Sequence, residues 1–485
     1  MMLALRRAES AAARPTRHQE PFTRVAPVLR AALLLGAGGG FALAAVLTLA
    51  RLFHVPGALW WLATAQAHGH LQLYGWAGLF VLGVGMHFLP RLRGAPLAMP
   101  RAVPWLLGAL VASLICRALG QPLLALAVGT FMAQTLVIVS ALLEVVALGG
   151  LVGIVGATLL SGPPARTRKA FWGVAPFLAG ALAALALAAL VNAADTLRLG
   201  VGFAALVPAT GDALNVSLGL FGFLVPMALA MSAQSLPMYA GLEAFPRELL
   251  WPLAGVYLGG LLAYCAGIMT GGAVLGGLGL LGMGGALLVF IAAFLRMMRT
   301  RGKLPKKVAD LAPSAEAAQR GYTRQIAKSR DAYGPFVALV ASAYMWALLA
   351  GLLLVVDGVA GLLGADPPVA LDAIRHALAI GFVALLICGI SPRMVPGFSG
   401  GKIASPRYVT ATLWLGNASA VLRVGSILLA PVLVGGAGQA VERLLFGLSG
   451  PTGLALAICL ALNLWPALRP RAPRASEQDT VVSAR

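Results

Sequence analysis

Twelve apolar runs, each near the ~20 residues that a helix needs to cross a bilayer, follow one another along this 485-residue chain. They fall at about residues 27–50, 66–90, 104–119, 123–150, 170–194, 213–237, 250–270, 272–296, 335–357, 372–396, 407–434 and 444–466. In lipid every backbone amide must find its partner within the protein, which leaves helices or a closed barrel. A barrel would show short alternating segments, whereas these runs are continuous. With 60% hydrophobic and 11% charged residues, the chain has too little polar sequence to clothe a soluble core. The expected fold is an all-α polytopic membrane protein of about twelve transmembrane helices. The fourth run stays apolar as far as Leu160, so its end is the least defined.

A net charge of +20 invites a nucleic-acid reading, but its placement follows the membrane. With the N-terminus inside, most of the 36 Lys and Arg fall in inward loops or tails. The largest cluster, Arg296 to Arg330, has ten basic residues, while outward loops carry Asp195, Asp212, Asp366 and Asp372. An even number of spans then puts both termini in the cytoplasm, with the lipid bilayer as partner and no nucleic acid. Residues 1–26, including His18, read as a basic cytoplasmic tail and 469–485 as a disordered cytoplasmic one. Cys116, Cys265, Cys388 and Cys459 lie singly in four runs, so neither a disulfide nor a thiolate metal site is expected.

Gly75, Pro90 and Gly94 in the second run set a spacing that returns as Gly222, Pro237 and Gly241 in the sixth run. It returns again as Gly381, Pro396 and Gly400 in the tenth. The intervals, 147 residues from Gly75 to Gly222 and 159 from Gly222 to Gly381, are close to a third of the chain. Three pseudo-symmetric four-helix units are expected, at 27–169, 170–334 (ending in the basic loop 296–334) and 335–468. Proline at a helix's inner end should stop it, and Gly four residues later permits the turn. The mid-helix Gly allows close helix approach, or leaves room for something flat against the backbone.

Three of the six histidines lie in the second run, AHGHLQLYGWAGLFVLGVGMHFLPRLRG. Five residues before each repeat glycine stand His70, Ser217 and His376. Equivalent units would put His70 and His376 at matching depth in the outer half of the membrane. Two neutral imidazoles so placed suit axial ligation of one haem iron, and ionisable groups inside a membrane are functional candidates by default. For a lone His, a hydrogen-bonded packing role is the simpler reading; the matched pair favours ligation. His68 lies about 200° round the helix from His70, so the two cannot face one partner, and the sequence leaves open which is the ligand. His68 with His54 in the preceding loop could hold a copper ion, although two imidazoles are few for a site. His87 lies roughly 25 Å further along the axis and cannot share that iron.

At these residues the chain resembles the NnrS family of bacterial twelve-helix membrane proteins. The matching elements are His68-Gly-His70, Gly75, Pro90 and Gly94, then His376-Ala-Leu, Gly381, Arg393, Gly397 and Gly400. Leu71-Gln72 and Phe398 stand where that family carries Glu-Met and His. The family is similar, more distantly, to the catalytic subunits of haem–copper oxidases and nitric oxide reductases, whose low-spin haem lies between the second and tenth helices. The resemblance implies haem b, with copper as a further candidate, in a bacterial inner-membrane protein of nitric oxide and nitrosative-stress metabolism. It leaves the electron donor unspecified. The sixth and seventh runs contain no His, where the oxidases hold copper, so oxygen reduction by their mechanism is not expected.

Further residues bear on a cofactor. Arg375 precedes His376 on the outer side, at a depth shared with Arg51 and Arg443, and Arg pairs carboxylates such as haem propionates bidentately. Each equally marks a helix end. Tyr74 and Trp76 could wall a haem, with Gly75 and Gly381 giving it clearance; Trp60, Trp61 and Trp76 also fit an aromatic belt. Glu144 and Arg423 lie deep enough to need partners, either one another or water. Two rival readings stay open: a cofactor-free secondary transporter with a threefold repeat, and an assembly protein that keeps the fold. Transporters more often show inverted repeats, whereas the second, sixth and tenth runs here share one direction.

Overall fold

The computed structural model describes residues 22–202, 204–299, 301 and 314–469. The expected tails therefore lie outside the described residues for 1–21 and 470–485, as does 302–313 of the basic loop. Among the described residues twelve helices are long and apolar enough to cross a membrane. They are Phe22–Leu52, Leu59–Arg93, Val103–Ala125, Thr130–Leu160, Lys169–Val201, Ala209–Ala240, Arg247–Thr270, Ala273–Arg299, Phe336–Leu362, Leu371–Ser399, Pro406–Leu429 and Gly435–Leu468. They are numbered here first to twelfth. The protein is a multi-pass membrane protein.

Most spans outrun the apolar core that announces them, because their ends carry polar residues that remain helical. The boundary between the third and fourth differs from expectation. The third helix continues through Pro122 to Ala125, and the chain turns at Ala127 and Gly129, both with φ of 55°. Gly120 is held inside the helix because a Cβ there would stand 2.9 Å from the Ala133 carbonyl of the fourth span. The basic loop also contains a helix, Ala315–Tyr333, capped by Ser314 and tied to the sixth span's end by the Tyr322 hydroxyl donating to Gly241 O (2.9 Å).

Burial sorts the spans into two groups. Across their most apolar windows the second, sixth and tenth bury 89%, 83% and 78% of their residues, against 33–50% for the other nine. These three form the centre, and they are the three that carry the repeated glycines and prolines. Each contains one eight-residue π-helical stretch at the same place, Leu71–Gly78, Ser217–Leu224 and Ala377–Ala384. Each ends on glycine in the left-handed region, Gly94 (φ 72°), Gly241 (φ 67°) and Gly400 (φ 66°). Pro90, Pro237 and Pro396 lie one turn inside their helices and do not stop them; the glycines do. The Pro90 and Pro237 carbonyls accept from the Gly94 and Gly241 N–H, which satisfies otherwise orphaned groups.

Outer spans pack on this centre and on each other through small residues. In the eighth span a Cβ at Gly277 would lie 2.8 Å from Gly358 O, and one at Gly284 2.9 Å from Gly351 O, both on the ninth. Backbones that close leave room for hydrogen only, as expected where lipid supplies no hydrophobic drive between helices. Large exposed side chains such as Trp105, Phe131 and Leu160 point away from the bundle.

Candidate functional site

A cavity of about 560 Å³ opens between the second and tenth spans and reaches the first, sixth, eleventh and twelfth. That volume is within the ~300–1,000 Å³ of typical small-molecule and cofactor sites. His68 of the second span and His376 of the tenth both line it, with Trp61, Trp76 and Phe446 among its walls and Arg375, Arg423, Asp212 and Asp372 as its charged groups. The two imidazoles lie within electrostatic reach of each other.

Both rings are oriented by one nitrogen. His68 Nδ1 lies 2.8 Å from Gly40 O, and His376 Nδ1 2.8 Å from Asp372 O. A carbonyl oxygen only accepts, so each Nδ1 carries the proton and each Nε2 is the unprotonated nitrogen. Among the described residues nothing hydrogen-bonds either Nε2. The Gly40 acceptor belongs to a π-helical turn in the first span, Gly36–Gly40, where the regular ladder is interrupted. The Asp372 carboxylate is shared: Oδ1 lies 3.1 Å from His376 Nδ1 and Oδ2 accepts from Arg423 at 2.6 Å. Arg51 and Arg423 both place their guanidinium against the Phe446 ring, at 4.8 and 4.5 Å, and Arg51 pairs with Glu442 at 3.0 Å. Among the described residues Arg375 shows no such ion pair, and its buried Nε has no partner.

His70 is elsewhere. Its Nε2 lies 2.8 Å from Glu144 Oε2 of the fourth span, both side chains almost fully buried, with its Nδ1 unpartnered. Tyr74 packs on the His70 ring (centroids 4.8 Å apart), and its hydroxyl donates to Asn215 Oδ1 of the sixth span at 2.6 Å. The cavity does not bring His70 and His376 together. His376 borders it from the tenth span, whereas His70 meets Glu144 of the fourth. The second-span histidine that does border it is His68, about 200° round the helix from His70.

Other expected site residues move accordingly. Trp76 lines the cavity, but Tyr74, Gly75 and Gly381 do not. A Cβ at Gly75 would lie 3.2 Å from Leu114, and one at Gly381 2.5 Å from Trp346, so both glycines serve helix packing. Gly69, between the two histidines, does line the cavity, and a Cβ there meets nothing within 4 Å. His54 is exposed in the turn after the first span, outside the cavity lining, with φ of 57°. No cluster of three or more His, Cys, Asp or Glu suited to a metal occurs among the described residues. Glu144 and Arg423 do not pair with one another: the first meets His70, the second Asp372. His87 is buried between Phe22 and Phe398 (centroids 5.3 and 4.1 Å away).

A buried polar network goes beyond the sequence reading. Arg117 of the third span donates to Gln121 Oε1 (2.6 Å) and to the Thr196 hydroxyl, and Gln121 Nε2 donates to Gln66 Oε1 (2.7 Å), which reaches the cavity wall. Arg117, a charge in an apolar run, was the available signal; its neutral partners carry none.

No protein-family profile matches the chain, and the comparison with curated proteins finds no match. In three dimensions it is similar to a heme-copper terminal oxidase dimer solved by electron cryo-microscopy. The TM-score is 0.63 at 12% sequence identity, with 93% of this chain and 85% of that chain covered. At that identity the likeness is one of fold: the twelve spans have a haem–copper-oxidase-like arrangement.

Proposed function

We propose that this chain is a bis-histidine haem protein of the membrane, with His68 and His376 as the axial ligands. The carrying observation is that both imidazoles line one cavity, each fixed through Nδ1–H and, among the described residues, with no hydrogen bond to Nε2. This is how histidine ligands are usually held, since the second hydrogen bond sets the tautomer and the ring's direction. The remaining residues fit the same group. Gly69 leaves open space where a side chain would obstruct a flat macrocycle, and Trp76 and Phe446 wall it. Arg375, without an ion pair and with a buried unsatisfied Nε, is the residue to meet a propionate. Arg423 is already engaged with Asp372 and holds the His376 side in place.

Bound there, haem b would supply one-electron redox chemistry and affinity for small ligands. The residues around it bind and orient it and exclude water. The NnrS resemblance supplies the setting: nitric oxide and nitrosative-stress metabolism, in three four-helix units of a bacterial inner-membrane protein with cytoplasmic termini. Copper has weaker support, since His54 and His68 do not share the cavity lining.

The test is an optical spectrum of the purified full-length protein. Sharp low-spin α and Soret bands are expected on reduction, lost in His68→Ala and in His376→Ala but kept in His70→Ala. A colourless preparation that still unfolds cooperatively would turn the reading to a cofactor-free transporter. Loss in His70→Ala with retention in His68→Ala would reverse the ligand assignment.

A further inference from the structure

The two sides of the cavity hold their imidazoles unequally. His376 Nδ1 has the Asp372 carbonyl at 2.8 Å and the Asp372 carboxylate at 3.1 Å, and that carboxylate is fixed by Arg423 at 2.6 Å. A carboxylate beside the N–H makes an imidazole a stronger donor to a metal and resists its rotation. His68 has one neutral acceptor, Gly40 O, at 2.8 Å. That acceptor ends the glycine-rich π-helical turn Gly36–Gly40, whose Gly38 has open space beside it. Gly69, next to His68 on the cavity wall, likewise has open space where a Cβ would stand.

One turn along the same face, Gln72 also lines the cavity, and its Oε1 is buried with no hydrogen-bond partner. A buried carbonyl oxygen left without a partner is costly unless something meets it. Its oxygen and nitrogen exchange places by a half-turn, so the amide can offer N–H to an acceptor in the cavity.

Resting on the haem reading above, we infer that the second-span side is the exchangeable one: His68 gives way to a small uncharged ligand, and Gln72 hydrogen-bonds the newcomer. With haem in place the exchange would move neither electrons nor protons: the bond that His68 Nε2 would make to iron would give way to one from the incoming ligand, while His376 would stay bound.

Carbon monoxide on the dithionite-reduced full-length protein is the probe, read by optical and infrared spectroscopy. The wild type should show low-spin bands before the gas and a six-coordinate carbonyl spectrum after it. Gln72→Leu should raise the C–O stretching frequency and speed carbon monoxide dissociation. His68→Ala should speed association by at least about tenfold, because no internal ligand competes. Asp372→Asn, acting from the opposite side through His376, should shift the Fe–CO stretch. Should His68→Ala fail to retain haem, the Gln72→Leu and Asp372→Asn measurements still decide. Low-spin bands that resist carbon monoxide, or a carbonyl spectrum blind to Gln72→Leu, would overturn the inference and leave the bis-histidine reading standing. Absence of low-spin bands in the wild type would remove that reading itself.

Discussion

His70 Nε2 and Glu144 Oε2 meet at 2.8 Å in the interior, joining the second span to the fourth at a place that water and lipid do not reach. Ser113 Oγ stands 3.4 Å from the same carboxylate oxygen and donates to Ser140 O at 2.9 Å, so the pair is embedded in a polar knot across three spans. Such a contact holds helices in register where hydrophobic drive is weak.

Glu144→Ala should destabilise the protein by about 1–3 kcal/mol, because it strands the buried His70 ring without its hydrogen-bond partner. Replacing both residues by leucine should recover most of that loss. Thermal unfolding in detergent measures both. Since the pair lies off the cavity, the folded fraction of each variant should keep its haem bands; their disappearance would tie His70 to the cofactor after all.

Arg375 and Arg51 offer a controlled comparison at the mouth of the site. Arg375→Leu should lower haem retention on purification, because Arg375 lines the cavity with its buried Nε unpartnered among the described residues. Arg51→Leu removes a half-exposed pair with Glu442, worth roughly 0–1 kcal/mol, and should leave haem content unchanged. Equal haem loss in both would deny Arg375 a specific role.

Two glycines predict opposite behaviour. Gly381→Ala presses a methyl group to within 2.5 Å of Trp346 and should cost about 1–3 kcal/mol in stability. Gly69→Ala meets no atom within 4 Å and should be close to neutral for folding. Enlarged to leucine at position 69, the side chain should block haem uptake in a protein that still folds. Melting curves and haem-to-protein ratios report the two effects separately.

At the capped ends of the inner spans, Gly94→Ala and Gly241→Ala should each lower stability by at least about 1–2 kcal/mol through the left-handed conformation. A methyl group there also meets Arg168 or Tyr322. No loss at either position in the same melting assay would contradict this.

Span number, and the privileged standing of the second, sixth and tenth helices, could be read from apolar run length and the Gly–Pro–Gly spacing. Both are one-dimensional signals that survive without partners. What the sequence hid was direction. Matching His70 with His376 by register takes no account of which helix face meets the cavity: His70 turns to Glu144, and His68 lines the cavity with His376. The proline-terminated helices were misread for a related reason: proline at the last turn loses a bond that position can spare, and glycine's left-handed φ makes the actual stop. The network from Arg117 to Gln66 was hidden because amides and hydroxyls in apolar runs carry no periodic mark, and their pairing depends on which spans adjoin.

The π-helical stretches at Leu71–Gly78, Ser217–Leu224 and Ala377–Ala384 take up more residues per revolution than an ordinary helix. They thereby set the angular phase between the two halves of each inner span. Deleting a single residue from Leu71–Gly78 would swing the half bearing His68 by about 100° against the half anchored at Gly94. The imidazole would then sweep off the cavity while the span still crossed the membrane. Alignment of the two histidines is thus fixed by how many residues each wide turn contains.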